Sequence, residues 1–293
     1  MASGRLISLT LLVTGAALLP SASCTDVRHV GEVDRPIQVL VWDNALTYGH
    51  LSRVDAIQHL TERADADNIV YDLKYARTEL PPQTAEGAKD PPSFDASVFT
   101  DDNLARYDVV FFLHTTGTTI DDDQKDVRRQ ALRDFIDKKG GGFVGTHSAT
   151  DTYQDGTWPW YVDFIGANYV TMNPRPGPYV AGTLQAVQTT PHAILAAAHT
   201  PNPWNRFDEW FVFDRDPSTL MGFTVLLTVT DQATSTKRPS VWVHEIPVDS
   251  PGVGVARMFY TACCHDSMTF TDDQASKVID LIVAGIKWAA HRL

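Results

Sequence analysis

Basic residues are scarce in this chain. Its 293 residues include 24 Lys and Arg against 36 Asp and Glu, a formal net charge of −12 with histidine neutral. Phosphate backbones are held by clustered Lys and Arg, and no basic stripe with interleaved aromatics occurs, so nucleic acid is excluded as a partner. Long apolar runs are missing as well: the N-terminal one, residues 6–19, is shorter than the ~20 residues a spanning helix needs. Cysteine is rare, Cys24, Cys263 and Cys264 being the full set. Adjacent cysteines bridge only through a strained ring, so no disulfide framework is expected, and a chain of this length buries enough core without one. There is no internal repeat, no low-complexity tract and no His-Glu-x-x-His helix, and the acidic run Asp121, Asp122, Asp123 lacks the Gly and terminal Glu of a calcium loop.

The N-terminus has the form of a targeting segment. Arg5 supplies a positive start, residues 6–19 are apolar or small, and Pro-Ser-Ala-Ser precedes Cys24. This pattern predicts a signal peptide over 1–23, a mature chain beginning at Cys24 and a short linker over 24–36. Cys24 occupies the place of an acylated lipoprotein cysteine, although Ser21 stands where leucine is usual; cleavage without lipidation fits the same bond. The expected location is therefore the periplasm or cell envelope, lipid-anchored through Cys24 or otherwise secreted, with that anchor the sole membrane contact.

From residue 37 on, strand and helix patterns alternate. Short apolar runs at 37–42, 68–73, 109–113 and 143–146 read as buried parallel strands. Helical spacing follows from Ser52, and again through Val127, Ala131, Leu132, Phe135 and Ile136. Asp121 with Gln124, and Thr271 with Gln274, have capping-box spacing before the two longer helices. Gly140, Gly141 and Gly142 follow a helix and precede a strand, so they are turn residues, since a phosphate loop runs from strand into helix. Four later runs, 180–187, 223–230, 240–244 and 255–261, read as strands, several antiparallel. The expected architecture is a flavodoxin-like, three-layer α/β/α fold with a mostly parallel sheet and added antiparallel strands in its second half.

The stretch Gly145-Thr-His147-Ser-Ala has the form of the strand-to-helix elbow that presents a nucleophile, yet the elbow position holds His147. A Ser–His–acid hydrolase is thereby disfavoured. His50, His147, His244 and His265 all fall at or after predicted strand ends, where ligands bind in doubly wound sheets. Asp151, Asp208, Glu209 and Glu245 lie close by in sequence. Histidines with carboxylates and no thiolate suit a divalent metal such as zinc, or acid–base chemistry. The candidate metal set is His50, His147, His244, Glu245 and His265. The remaining histidines, His114 among them, read as structural. Trp158, Trp160, Tyr161 and Trp210 form aromatic clusters, suited either to a sugar face or to the core.

Taken in order, these stretches resemble the ThuA-like (trehalose-utilisation) domain of the class I glutamine amidotransferase-like superfamily, from about Gln38 to Leu293. The resemblance rests on Gly140-Gly-Gly-Phe-Val-Gly-Thr-His147-Ser-Ala-Thr-Asp151, Trp158-Pro-Trp-Tyr161, Tyr48-Gly-His50-Leu-Ser52, Asp208-Glu209-Trp210, Val243-His244-Glu245 and the approach to His265. It implies a fold whose amidotransferase cysteine is replaced by His147. It further implies a pocket with His147, Asp151 and His265 as catalytic candidates, and His50, Ser52, Trp158, Trp160, Tyr161, Asp208, Glu209 and Trp210 as substrate-binding ones. Two departures stand out: Asn173-Pro174 where the family often has His-Pro, and Cys263-Cys264 before His265 where glycine is frequent.

The expected function is an exported enzyme of carbohydrate metabolism, acting on a glycoside or keto-sugar by histidine- and carboxylate-based acid–base chemistry, either assisted by a divalent metal such as zinc or with no cofactor. The alternatives are a non-catalytic sugar-binding protein and a thiol hydrolase in which Cys264 reaches His147. The expected ligand in every case but the last is a small carbohydrate; nothing in the sequence bears on oligomeric state.

Overall fold

The computed structural model describes residues 35–75, 86–172, 179–250, 252 and 254–293. The expected leader, Cys24, the linker to residue 34 and Asn173-Pro174 lie outside the described residues.

The first half is built from β1 (Ile37–Asp43), α1 (Ser52–Glu62), the single-turn α2 (Ala64–Asp67), β2 (Ile69–Tyr75), α3 (Asp101–Leu104), β3 (Val109–Leu113), α4 (Lys125–Asp137) and β4 (Gly142–Thr146). A 3-10 turn over His147–Asp151 leads into α5 (Pro159–Ile165) and β5 (Tyr169–Met172). Then follow β6 (Val180–Ala186), α6 (Ala193–Ala197), β7 (Trp204–Asp208), β8 (Phe211–Phe213), β9 (Phe223–Asp231), β10 (Lys237–Pro247), β11 (Val255–Thr261), α7 (Met268–Thr271) and α8 (Ala275–Ala289). The large sheet has the order β2-β1-β3-β4-β11-β10-β9-β6-β7, and β5 pairs with β8 apart from it. Its first five strands are parallel, in the order of a flavodoxin-like sheet with β11 as the fifth strand. From β11 to β7 every pairing is antiparallel.

Period-two alternation divides the core between the two faces of the sheet. Val39, Val41, Phe111 and Val144 share one cluster with Ile57 and Leu60 of α1 and Ile282 and Ile286 of α8. Leu40, Trp42, Val110, Phe112 and Phe143 join the other, with Leu132 and Phe135 of α4 and Tyr161 and Phe164 of α5. Every residue of β3 and β4 is buried, as a strand covered on both faces requires.

Gly140 and Gly141 connect α4 to β4 as their order predicts, while Gly142 is already the first residue of β4. Gly140 takes φ +66° at the end of α4. At Gly142 a Cβ would stand 2.6 Å from the Ala289 carbonyl oxygen, so β4 and the end of α8 meet backbone to backbone. Both capping boxes are corrected. Helices α4 and α8 begin only at Lys125 and Ala275, because Asp122 and Asp272 each accept the N–H of the glutamine two residues on (2.8 and 2.9 Å), closing local Asp turns ahead of the helix. The strands β5, β7 and β8 carry no strong sequence signal; all three are short.

Candidate functional site

Five chain ends meet above the carboxyl ends of the parallel strands. The loop after β1 brings Tyr48 and His50, the turn after β3 brings His114, the elbow after β4 brings His147, the turn after β11 brings His265, and the end of β7 brings Glu209. His114, His147 and Cys264 hold positive φ (+49°, +47° and +101°), and such strained backbone clusters where chemistry is done.

The rings of His50, His147 and His265 lie mutually edge-on, with centroids 4.6–5.0 Å apart. His147 Nε2 is 3.0 Å from His265 Nδ1 and 3.3 Å from Glu209 Oε2; the Glu209 oxygen is 2.9 Å from His265 Nδ1. His147 Nδ1 must donate to the Ala262 carbonyl at 2.9 Å, since a carbonyl only accepts. In the neutral ring that leaves Nε2 as a lone pair aimed into the cluster. Ser52 Oγ has one proton and two carbonyl acceptors, Cys264 O at 3.0 Å and His265 O at 2.9 Å. With that proton so committed, His114 Nδ1 is the donor in its 3.2 Å contact with Ser52, and His114 Nε2 is left as an acceptor with no partner among the described residues.

Asp208 assembles the two halves of the cluster. Fully buried, it accepts from Cys264 N (2.9 Å), His265 N (3.2 Å) and Glu209 N (2.9 Å), and so fastens the His265 turn to the strand end bearing Glu209. On the other side, Arg53 donates to the His50 carbonyl at 3.0 Å and pairs with the buried Asp43 and Asp90. Gly49 admits the segment that carries Glu86: a Cβ there would stand 2.1 Å from the Ala88 carbonyl oxygen. Glu86 in turn accepts from Leu51 N at 2.9 Å and reaches to 3.7 Å from His265 Nε2.

Beside the cluster opens a cavity of about 510 Å³, with Tyr48, His50, Asp151, Tyr169, Glu209, Phe211 and His265 among its walls. Burial pushes the Asp151 carboxyl up to about 6, only partly opposed by its hydrogen bond from Thr47. Glu209 moves the other way: burial alone would raise it, but the adjacent imidazoles of His147 and His265 bring it down to about 2. Burial, reinforced by the neighbouring histidines and Arg53, holds His50 well below the usual imidazole range. Burial would also lower His265, but Glu209, Asp208 and Glu86 outweigh it and raise its pKa. The cavity thus pairs a carboxyl poised near neutrality with a floor of close-set imidazole and carboxylate donors.

Several expected members are elsewhere. His244 and Glu245 are corrected as ligands: β10 runs against β11, pairing His244 with Met258, which pairs with Phe143 at the start of β4. They therefore lie at the opposite end of the strands, where His244 stacks on Phe223 (3.8 Å) and donates to the Phe164 carbonyl, and Glu245 pairs with Arg257. Trp158, Trp160 and Tyr161 are corrected from sugar face to core; Trp160 stacks on Phe164 within the α4–α5 cluster. Trp210 is also core, with its indole donating to the Val180 carbonyl at 2.8 Å. Ser52 and Asp208 bind the turn of His265 and do not line the cavity. Cys264 is a buried free thiol whose pKa burial raises, the reverse of an activated nucleophile. Asp151 faces the cavity and bonds Thr47 (3.4 Å), so Glu209, not Asp151, is the carboxylate that holds His147. Sequence reasoning does not find His114, Glu86 or Gln154, which reach the site through loops and turns; Tyr48 enters it only as part of a motif, and Tyr169 and Phe211 come on the short strands β5 and β8.

The donors suit a divalent cation on physical grounds. Donor atoms of His50, His147 and His265 all lie within 4.8 Å of one another, and Glu209 Oε1 is buried with no hydrogen-bond partner among the described residues. Tetrahedral ligands at ~2.0–2.1 Å from zinc stand about 3.3 Å apart, close to the separations of the Glu209, His147 and His265 atoms.

Fold and site together define a flavodoxin-like protein with a buried histidine cluster at the carboxyl ends of its parallel strands. A family model described as trehalose utilisation, ThuA, matches residues 38–289, and the chain belongs to that family. Among solved structures it is similar to a ThuA-like protein from Bacteroides uniformis ATCC 8492 (TM-score 0.60, 19% identity, covering 88% of this chain and 94% of that one). It is equally similar to one from Parabacteroides merdae ATCC 43184 (TM-score 0.60, 18% identity, covering 87% and 90%). No curated protein sequence matches the chain.

Proposed function

We propose that this ThuA-family protein is an enzyme acting on a keto-sugar or glycoside by proton transfer next to a carbonyl. The observation that carries the reading is the juxtaposition of Asp151, raised to about 6, with the His50–His147–His265–Glu209 floor in one cavity. A base with a pKa near working pH combines the right protonation state with driving force for transfer. Asp151 takes the proton from the carbon beside the ketone, and the electron pair moves onto the carbonyl oxygen. His50, His147, His265 and Glu209 would hold a divalent cation of the zinc type, which supplies positive charge to an oxygen that becomes anionic. His147 acts from below: it is fully buried, and its Nδ1–H bond to Ala262 fixes the direction of Nε2. Tyr48, Tyr169 and Phe211 offer rings to the sugar, while Thr47 and Gln154 offer hydroxyl and amide partners.

His147→Gln is expected to lower turnover of a keto-disaccharide roughly 100-fold or more, and Asp151→Asn to lower it less, both with sugar binding retained. Full turnover in His147→Gln removes His147 from the mechanism. Retained binding without turnover in the wild type identifies a sugar-binding protein instead.

The export signal belongs to the same proposal. Intact-mass analysis from the native host is expected to give a chain starting at Cys24, with an acyl excess in the anchored form; a chain retaining Met1 removes it.

A further inference from the structure

From Tyr48 on the cavity wall, a line of aromatic rings continues past His265 to Tyr179 and Phe207, which no step above uses. Phe207 is 52% exposed on the edge strand β7. Strand alternation buries Arg206 and Asp208 and turns Phe207 to the other side. Its ring lies 6.2 Å from that of Tyr179 at a 32° tilt, and Tyr179 lies 5.3 Å from His265. Tyr48, 39% exposed, flanks His265 at 6.4 Å. Both tyrosines are anchored by carboxylates, Tyr48 to Glu86 and Tyr179 to Asp266. Asp266 is itself pinned, accepting from Met268 N at 2.6 Å.

Rings with alternating carboxylates make a surface of two kinds: apolar faces that cover the C–H side of a pyranose, and oxygens that accept from its hydroxyls. Phe207 stands in line with Tyr179 and the His265 end of the site, which gives the ledge its direction. Continuity with His265 states which ligand it is, namely the part of the substrate that protrudes from the cavity.

We infer that Tyr48, Tyr179 and Phe207, with Glu86 and Asp266, form an outer subsite that holds the second sugar ring of a disaccharide whose first ring occupies the cavity. The inference rests on the sugar reading above and adds to it the residues that grip the outer ring by stacking. An aromatic contact contributes about 0.5–1.5 kcal/mol beyond its area, so each ring is expected to be worth roughly threefold to tenfold in affinity.

The test is calorimetric titration of the full chain with trehalose and glucose, each unmodified and oxidised to a ketone. Phe207→Ala and Tyr179→Ala are expected to lower the disaccharide-over-hexose affinity ratio about threefold to tenfold, and Phe207→Tyr to restore it. Because Phe207 is exposed, its alanine variant keeps the fold, which circular dichroism checks. A wild type that binds hexose and disaccharide equally, or variants that leave the ratio unchanged, overturn the outer subsite and leave the sugar reading standing. A wild type that binds none of the four sugars overturns both.

Discussion

Asp151 and Glu209 are carboxylates of one cavity, and their surroundings drive them apart. Glu209 gains two imidazole partners and falls to about 2, whereas Asp151 is half-buried with one weak hydroxyl bond and rises to about 6. A base that must be ionised makes kcat rise with pH through about 6, and Asp151→Asn is expected to erase that limb. Stability has the opposite sign at this residue. The folded state holds the Asp151 proton more tightly than the unfolded chain, so its contribution is complete below the ordinary carboxylate range and lost as pH rises through about 6. Urea denaturation is expected to show the wild type losing more stability than Asp151→Asn between about pH 4 and about pH 7. Equal losses place the acidic group elsewhere. For Glu209 the stabilisation is present above the ordinary carboxylate range and lost as pH falls through about 2. The elbow histidine was legible from Gly145-Thr-His147-Ser-Ala, because that turn is a local feature. Its role as a buried donor bound to Ala262 was not, since Ala262 is 115 residues away in sequence.

At the scale of elements, the site depends on how two loops lie against each other. The segment around Glu86 hydrogen-bonds back to the β1 loop through Gly87 N to Gly49 O and Asp90 N to Ala45 O, both 2.8 Å, and Ala45 N returns a bond to Asp90 at 2.8 Å. Gly49 is what allows this contact. Gly49→Ala is expected to push the two backbones apart and destabilise the fold by about 1–3 kcal/mol, displacing His50 and Glu86 together. Thermal unfolding and sugar titration of that variant check it; wild-type values in both show that the loops accommodate the methyl. The strands and longer helices were readable from periodicity, as β3 and β11 show by matching their apolar runs residue for residue. Helix starts were less so, because an aspartate two residues before the N–H it accepts looks in sequence like a cap and in space closes a separate turn.

For the whole molecule, the histidine floor predicts a link between cation and stability. Protein dialysed against a chelator is expected to gain about 2.7 kcal/mol when zinc is restored at a hundredfold its Kd, read as a higher Tm. His147→Gln is expected to lose most of that gain. No shift in the wild type removes the cation from the proposal while leaving Asp151 as a base. The sequence by itself determined the layered α/β architecture, since apolar runs of strand length alternating with helical stripes have few other ways to bury both faces. It also placed His50, His147 and His265 at strand ends, because the chain rises to the same edge of the sheet after each parallel strand. Only the tertiary structure decided which residues complete the site. Strand direction is invisible in a single run, and β10 turning antiparallel carried His244 to the far end. Across four strand spacings of ~4.8 Å a flat sheet would hold β7 about 19 Å from β11. Asp208 nevertheless accepts from Cys264 N at 2.9 Å, so the turn after β11 and the end of β7 converge, with β-bulge register shifts between β9 and β10 at Pro239–Trp242 lying between them in the sheet. That convergence brings Glu209 onto the histidines.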